Sequence, residues 1–293
     1  AGVVNMILRK DFDGIEARAR YGFADGNYSE AQAAALFGKT WGGGYLTLAG
    51  EYTKNSTLLG KDLDFYQDDN RYRGGRDLRV STCNPGQISV GGSTYAIPAG
   101  GVTAANVGSL VKGSTNKCFY NGEDSVIPNQ ERYSFVGAAS HELTDSIRLF
   151  ADGFYSKRTG TVRTQGTFTA TVRPANPFFV SPVAAASVSV PYSLFPELGM
   201  FESPYHASSW NAVGGIEVKP FGDFRATLYY AHGQADEVVE RTRGVNTAAL
   251  NAALADTNPL TALNVFGGAN NPATLAKISD NLFIITGKTK LDV

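Results

Sequence analysis

The sequence predicts an all-β protein of the transmembrane antiparallel β-barrel class, supplying about seven or eight strands. Three observations predict it. Apolar and polar residues alternate with period two through much of the chain, as in strands with one greasy and one wet face. Tight polar turns alternate with very long connections. Every apolar stretch is broken by Gly, Ser, Thr or a charge, which excludes the roughly 18–20 apolar residues of a membrane helix and leaves membrane strands open.

The strands follow in order. Residues 15–23 alternate without a fault, with Ile15, Ala17, Ala19, Tyr21 and Phe23 on one face and Glu16, Arg18 and Arg20 on the other. A second run spans 30–41, and the glycines at 42–44 turn the chain into a third at 45–53. Residues 132–143 and 147–157 flank the turn Thr144-Asp145-Ser146, and 209–220 and 224–234 flank Phe221-Gly222-Asp223, giving two more hairpins. The run 281–290 is too β-branched and short for a helix and reads as the eighth strand.

Connection length is the most informative pattern. The first two connections are both short; from the second turn onward, long connections near 57–131, 160–207 and 240–279 alternate with tight turns. Because odd and even connections of an antiparallel meander lie at opposite ends, one rim carries tight turns and the other the large loops, as in outer-membrane barrels. The runs approach the 9–11 residues, roughly, that a tilted membrane strand needs. Aromatic residues gather near strand ends, at Trp41, Tyr45, Tyr133, Tyr155, Trp210, Phe221 and Phe224, where an interfacial girdle would place them.

Composition excludes other classes. The 26 Lys and Arg against 27 Asp and Glu leave no basic footprint for nucleic acid. The hydrophobic share of 43% is too high for a disordered chain. Cys83 and Cys118 both lie in loop-like surroundings, so a disulfide tying one long loop is expected, with two free thiols as the alternative. Such a bridge implies an oxidising compartment. The histidines His141, His206 and His232 sit on three separate segments and there is no Gly-x-Ser-x-Gly elbow, so no enzyme, cofactor or resident metal is expected. The start at Ala1 without Met, and the end at 288–293 without a turn or cap, make both ends read as cut from a longer reading frame.

The segment 1–10, Ala-Gly-Val-Val-Asn-Met-Ile-Leu-Arg-Lys, resembles the final plug strand of TonB-dependent outer-membrane receptors, and 11–18 resembles the linker and first barrel strand of that family. Segments 132–150 and 263–275 add to the resemblance, which spans nearly the whole chain. It implies a barrel of 22 strands around an N-terminal plug, with 1–10 the end of the plug and 11–293 the N-terminal portion of the barrel. It also implies energised uptake of a scarce nutrient, such as a siderophore or oligosaccharide, across the outer membrane of a Gram-negative bacterium. The implied partners are that ligand, outer-membrane lipid and a TonB-type energy-transducing protein acting through an upstream segment. A passive porin-like barrel and a secreted β-sandwich adhesin or lectin are the alternatives.

Candidate site residues come from the longest loop and the wet strand face. Phe65, Tyr66, Arg71, Tyr72 and Arg73 mix aromatic faces with guanidinium donors, suited to stacking on a ligand and bonding its oxygens. The four carboxylates within 61–70 lack the glycine and final Glu of an EF-hand loop, and read as a solvated turn balanced by Arg71, Arg73, Arg76 and Arg79. Glu16, Arg18, Arg20 and Arg148 are expected to face the lumen or plug, since a basic charge on the lipid face costs about 2–4 kcal/mol at midplane.

Overall fold

The computed structural model describes residues 12–24, 28–222 and 224–292. The first elements are β1 (Gly14–Ala24), β2 (Tyr28–Trp41), β3 (Gly44–Asn55), β4 (Leu58–Leu59), β5 (Gln87–Val90), β6 (Ser93–Ala96) and β7 (Ser125–Ile127). Next come β8 (Asn129–Thr144), β9 (Ile147–Thr164), β10 (Thr167–Val172), β11 (Val188–Ser193) and the short helix α1 (Phe195–Leu198). The remainder is β12 (Phe201–Val218), β13 (Ala226–Arg241), α2 (Thr247–Ala255), α3 (Pro272–Ile278) and β14 (Phe283–Asp292).

The protein is mostly β. Eight long strands form one antiparallel sheet in the order β1-β2-β3-β8-β9-β12-β13-β14, each pairing with the next long strand in the chain. Among the described residues the sheet is open, with β1 and β14 at its edges. The eight expected strands are these eight, but four run further toward the long connections than the alternation indicated. β9 reaches Thr164, β12 starts at Phe201, β13 reaches Arg241 and β8 starts at Asn129. Backbone pairing continues through segments such as 201–208 and 235–241 where apolar and polar residues no longer alternate, so the hydrophobic period ends before the strand does.

At the short-turn end, Gly43 at φ 88° lets the β2–β3 hairpin close between Trp41 and Gly44, a conformation that a residue with Cβ adopts at a cost. At the other end the three long connections fold together as a cap. β5 and β6 form a hairpin in the first connection, β10 and β11 pair in the second, and β11 docks on β5 through Ser189 and Ser89. The third carries α2 and α3, whose N-termini are capped by Asn246 (from Ala249 N, 3.1 Å) and Asn271 (from Ala273 N, 2.8 Å), with Pro272 preset for the first turn.

The hydrophobic core of the molecule lies in this cap. Ile88 and Ile97 of the first connection, Val172 and Val190 of the second, and Leu263, Phe266 and Ile278 of the third are all buried together. Phe201, at the loop end of β12, is the one member of that core drawn from the long strands. Buried polar groups join the connections as well. Asn176 donates to the carbonyls of Leu254 (3.1 Å) and Leu263 (3.2 Å) while accepting from Phe178 N (2.9 Å). Tyr192 donates to Glu197 (2.9 Å) and accepts from Asn84 (2.8 Å) and Asn270 (3.2 Å), so its hydroxyl gathers one residue from each of the other two connections. Burial, then the neighbouring Glu197 carboxylate, push the Tyr192 phenol far above its ordinary value and keep it a neutral donor. Leu263→Ala is expected to destabilise the cap by about 2–5 kcal/mol. Hydrogen exchange should then speed up in 88–97, 188–194 and 247–278 together while the β8–β9–β12 ladder keeps its protection.

Candidate functional site

The register assigns every long-strand residue to one of two faces, because directly paired residues share a face. One face carries exposed apolar groups: Ile15, Phe37, Leu48, Phe135, Leu149 and Leu228 all point outward from the sheet and are open to the surroundings. Ile15 is 78% and Leu228 74% exposed, so this face packs against no other layer of the described residues.

The Tyr residues of this face, with Trp210, form a line across it. Through Ala31, Lys54, Glu131 and Thr159, Tyr21 is level with His206 of β12. Tyr52 and Tyr133, directly paired, are level with Ser208; Tyr155 is level with Trp210; and Tyr230 is level with Gly214. The line therefore moves steadily from the level of residue 206 to that of 214 over the six steps from β1 to β13. On its loop side many outward residues are charged, as in Lys54, Glu131, Lys157 and Asp236, though Phe23, Val238 and Ile284 also lie there, and the Tyr52 and Tyr133 hydroxyls both donate to Glu131 at 2.8 Å. On its turn side they are apolar or small until the far edge, where Lys39 pairs with Asp13 (3.0 Å), Trp41 donates to His141 (3.1 Å), and Phe221 stacks on Phe224 (5.5 Å). Tyr45, expected among these aromatics, lies on the opposite face, because the hairpin pairs it with Thr40 rather than Trp41.

The other, polar face carries charged groups among small and apolar ones such as Leu36, Val136 and Phe154. Glu16, Arg18, Arg20 and Arg148 all lie on it. Arg18 pairs with Glu51 (3.1 Å), Arg20 with Glu30, and Arg148 with Glu217 (2.8 Å), which also meets Arg225 (3.5 Å). Sequence alone left these acidic partners unnamed; cross-strand register supplies them.

In the cap, the five loop residues fall into two groups. Phe65 and Tyr72 are exposed (69% and 72%), and the Arg73 guanidinium lies 4.9 Å from the Tyr72 ring centroid. Tyr66 is part-buried and packs on Phe119 at 5.7 Å, a packing role. Arg71 is held by Asp69 through two hydrogen bonds (2.8 and 2.6 Å). That pair belongs to a larger network in which Asp77 accepts from Arg79 (2.9 Å) and Lys117 (2.5 Å), and Arg79 also reaches Asp69 (3.1 Å). Asp77 and Lys117, 40 positions apart, meet only through the fold of the loop. Cys83 and Cys118 are joined in a disulfide with Cα atoms 5.8 Å apart, beside the paired backbones of Val80 and Cys118. Among the described residues no group of three or more His, Cys, Asp or Glu is placed to hold a metal ion. The expected plug strand at 1–10 lies outside the described residues.

Comparison with known proteins returns no family model, no curated protein and no solved structure that matches the chain.

The ionic network sets a pH response. Hydrogen bonds from Arg71 hold the Asp69 carboxyl down to about 2, and those from Arg79 and Lys117 hold Asp77 lower still. Folded values below the ordinary carboxylate value of about 3.9 mean that the stabilisation is fully present above that pH and is lost as pH falls toward the folded values. Carboxyl 13C resonances should show Asp69 and Asp77 still ionised near pH 3, and Lys117→Ala should raise the Asp77 midpoint.

Proposed function

We propose that this chain forms part of an outer-membrane β-barrel and, within that class, of a TonB-dependent receptor that takes up a scarce nutrient from outside the cell. The observation that carries the barrel reading is the oblique line of Tyr and Trp residues bounding an exposed apolar face. Its drift, from level 206 to 214 over six strand steps, is about 1.3 residues per strand. With about 3.4 Å rise per residue and about 4.8 Å between strands, a flat interface crossing the sheet along this line makes strands tilted by about 43°. Membrane barrels tilt their strands by roughly 35–45°. A sandwich gives no reason for such a slope and would bury the face that carries Ile15 and Leu228.

The rest of the molecule fits the same orientation. The apolar band is bounded by Tyr hydroxyls and by Trp41, as interfacial aromatics are in barrels. From β2 onward the tight turns lie on one rim and the folded cap on the other, where the outside-facing loops of a barrel would be, while β1 and β2 meet at the cap rim, at Ala24 and Tyr28. The Cys83–Cys118 disulfide suits an oxidising compartment. The choice of an energised receptor over a passive porin rests on the resemblance of 1–18, 132–150 and 263–275 to TonB-dependent receptors. In this reading the cap makes first contact with the nutrient through Phe65, Tyr72 and Arg73, the polar face lines the lumen, and uptake is binding followed by rearrangement of the plug, without covalent chemistry.

Trp41 and Trp210 are the two tryptophans of the chain, one at each edge of the band, and they test the barrel directly. In lipid vesicles each is expected to be quenched by brominated acyl chains in the corresponding single-Trp variant; quenching by aqueous iodide alone would overturn the membrane reading. Ala151→Arg, in the middle of the band, should cost about 2–4 kcal/mol of folding into bilayers. Asp152→Arg, next to it on the polar face, should change stability by about 0.5 kcal/mol or less. For the receptor, growth of cells carrying the gene on a panel of iron chelates and oligosaccharides should depend on the energy-transducing protein. Equal growth without that protein would favour the porin.

A further inference from the structure

Among the described residues, the polar face contains a like-charge pair with no counter-ion beside it. Arg132 and Arg158 are direct cross-strand partners on β8 and β9, a position in which Cβ atoms lie about 4.5–5.5 Å apart and like charges destabilise the sheet. Elsewhere on this face, Arg18, Arg20 and Arg148 each meet a carboxylate, and Arg241 lies 4.7 Å from the Phe283 ring centroid. Among the described residues, neither Arg132 nor Arg158 has a carboxylate partner; Arg132 donates to the neutral Gln130 amide oxygen at 2.9 Å.

One level further toward the tight turns, on the same face, Ser134, Ser156 and Ser209 stand side by side on β8, β9 and β12, with Ser134 and Ser156 hydroxyls 3.3 Å apart. Thr289 continues this level on β14 beyond Ala235. The two arginines, Ser156, Ser209 and Thr289 line a groove of about 430 Å³. Its far side holds Glu237, level with Arg158 across Ala207 and so two strand spacings, about 10 Å, away.

We infer that this groove is a binding site for a small hydroxylated carboxylate, of the sugar-acid kind. Paired guanidiniums present parallel N–H forks that match one oxyanion bidentately, and an anion between them removes their mutual repulsion. The serine and threonine hydroxyls then meet the hydroxyl groups of the same molecule. Glu237 accepts from a hydroxyl at the far end and disfavours a second negative charge there. As a station on an uptake path the site rests on the receptor reading. As an acid-binding site it stands on the register alone, so binding without energised uptake would remove the first and leave the second.

The test uses the full chain in detergent, titrated calorimetrically with D-glucuronate, with glucose as the neutral control. Saturable binding of glucuronate and none of glucose is expected, with Arg132→Gln and Arg158→Gln each weakening it at least tenfold. Lys157→Gln, on the same strand but the opposite face, should leave it unchanged. Thermal melts guard against misfolding: in buffer free of carboxylates and phosphate, Arg158→Gln should melt no lower than the unsubstituted chain, and glucuronate should raise the midpoint of the unsubstituted chain alone. Absence of saturable binding, equal affinity for glucose, unchanged binding in both arginine variants, or equal loss in Lys157→Gln would each overturn the site.

Discussion

Everything described here depends on the register of the antiparallel ladder. The period of a strand is two, so a slip of one residue in any pairing would carry a whole strand's apolar residues to the polar face and its charges to the other. Backbone proximity holds that register where side chains are small. At Gly153 a Cβ would sit 2.6 Å from the Asn211 carbonyl oxygen, and at Gly215 it would sit 2.6 Å from that of Leu228. Those glycines let β9, β12 and β13 lie flush. They explain why small residues recur inside strands whose outward neighbours are Tyr155, Trp210 and Leu228.

The distribution of apolar surface inverts that of a soluble β-protein. The sheet leaves its large apolar side chains exposed on one face, while the side chains most completely withdrawn from water lie in the connections. The cap has its own core, helices and disulfide, and the sheet beneath it leaves an apolar surface uncovered. This division explains why charges on the outward face gather beyond the tyrosine line. Lys288 with Asp236, and His232 with Asp292, occupy the part of β13 and β14 on the cap side of it.

Much of this was legible in the sequence, because alternation and turn chemistry are local. All eight long strands were visible through residues such as Ile15, Ala17 and Ala19, and the three connections stood out by length. What escaped was encoded over long distances or in weak local signals. The β5–β6 hairpin carries an alternating Ile88-Ser89-Val90 and a Gly91-Gly92 turn, yet it was submerged in a glycine- and serine-rich stretch. The helices α2 and α3 are short and alanine-rich, with Asn246 and Asn271-Pro272 as their clearest marks. Among the candidate site residues, exposure separated Phe65 and Tyr72 from Tyr66, and Asp69 claimed Arg71; neither outcome follows from composition. The opposed arginines on β8 and β9 lie 26 positions apart in number and come together only through the hairpin between them.

The hydroxyl of Tyr192 draws Asn84 and Asn270 to it, so the cap needs material from all three long connections before it can close. In chain order Asn270 is the last of these groups, separated from β14 by α3. Cap closure is therefore a coincidence event: it registers that three successive hairpins have taken their places side by side. With any one connection out of place, the Tyr192 hydroxyl lacks a partner and part of the shared core is uncovered. The order of the strands and the packing of the loops are thus one constraint and not two.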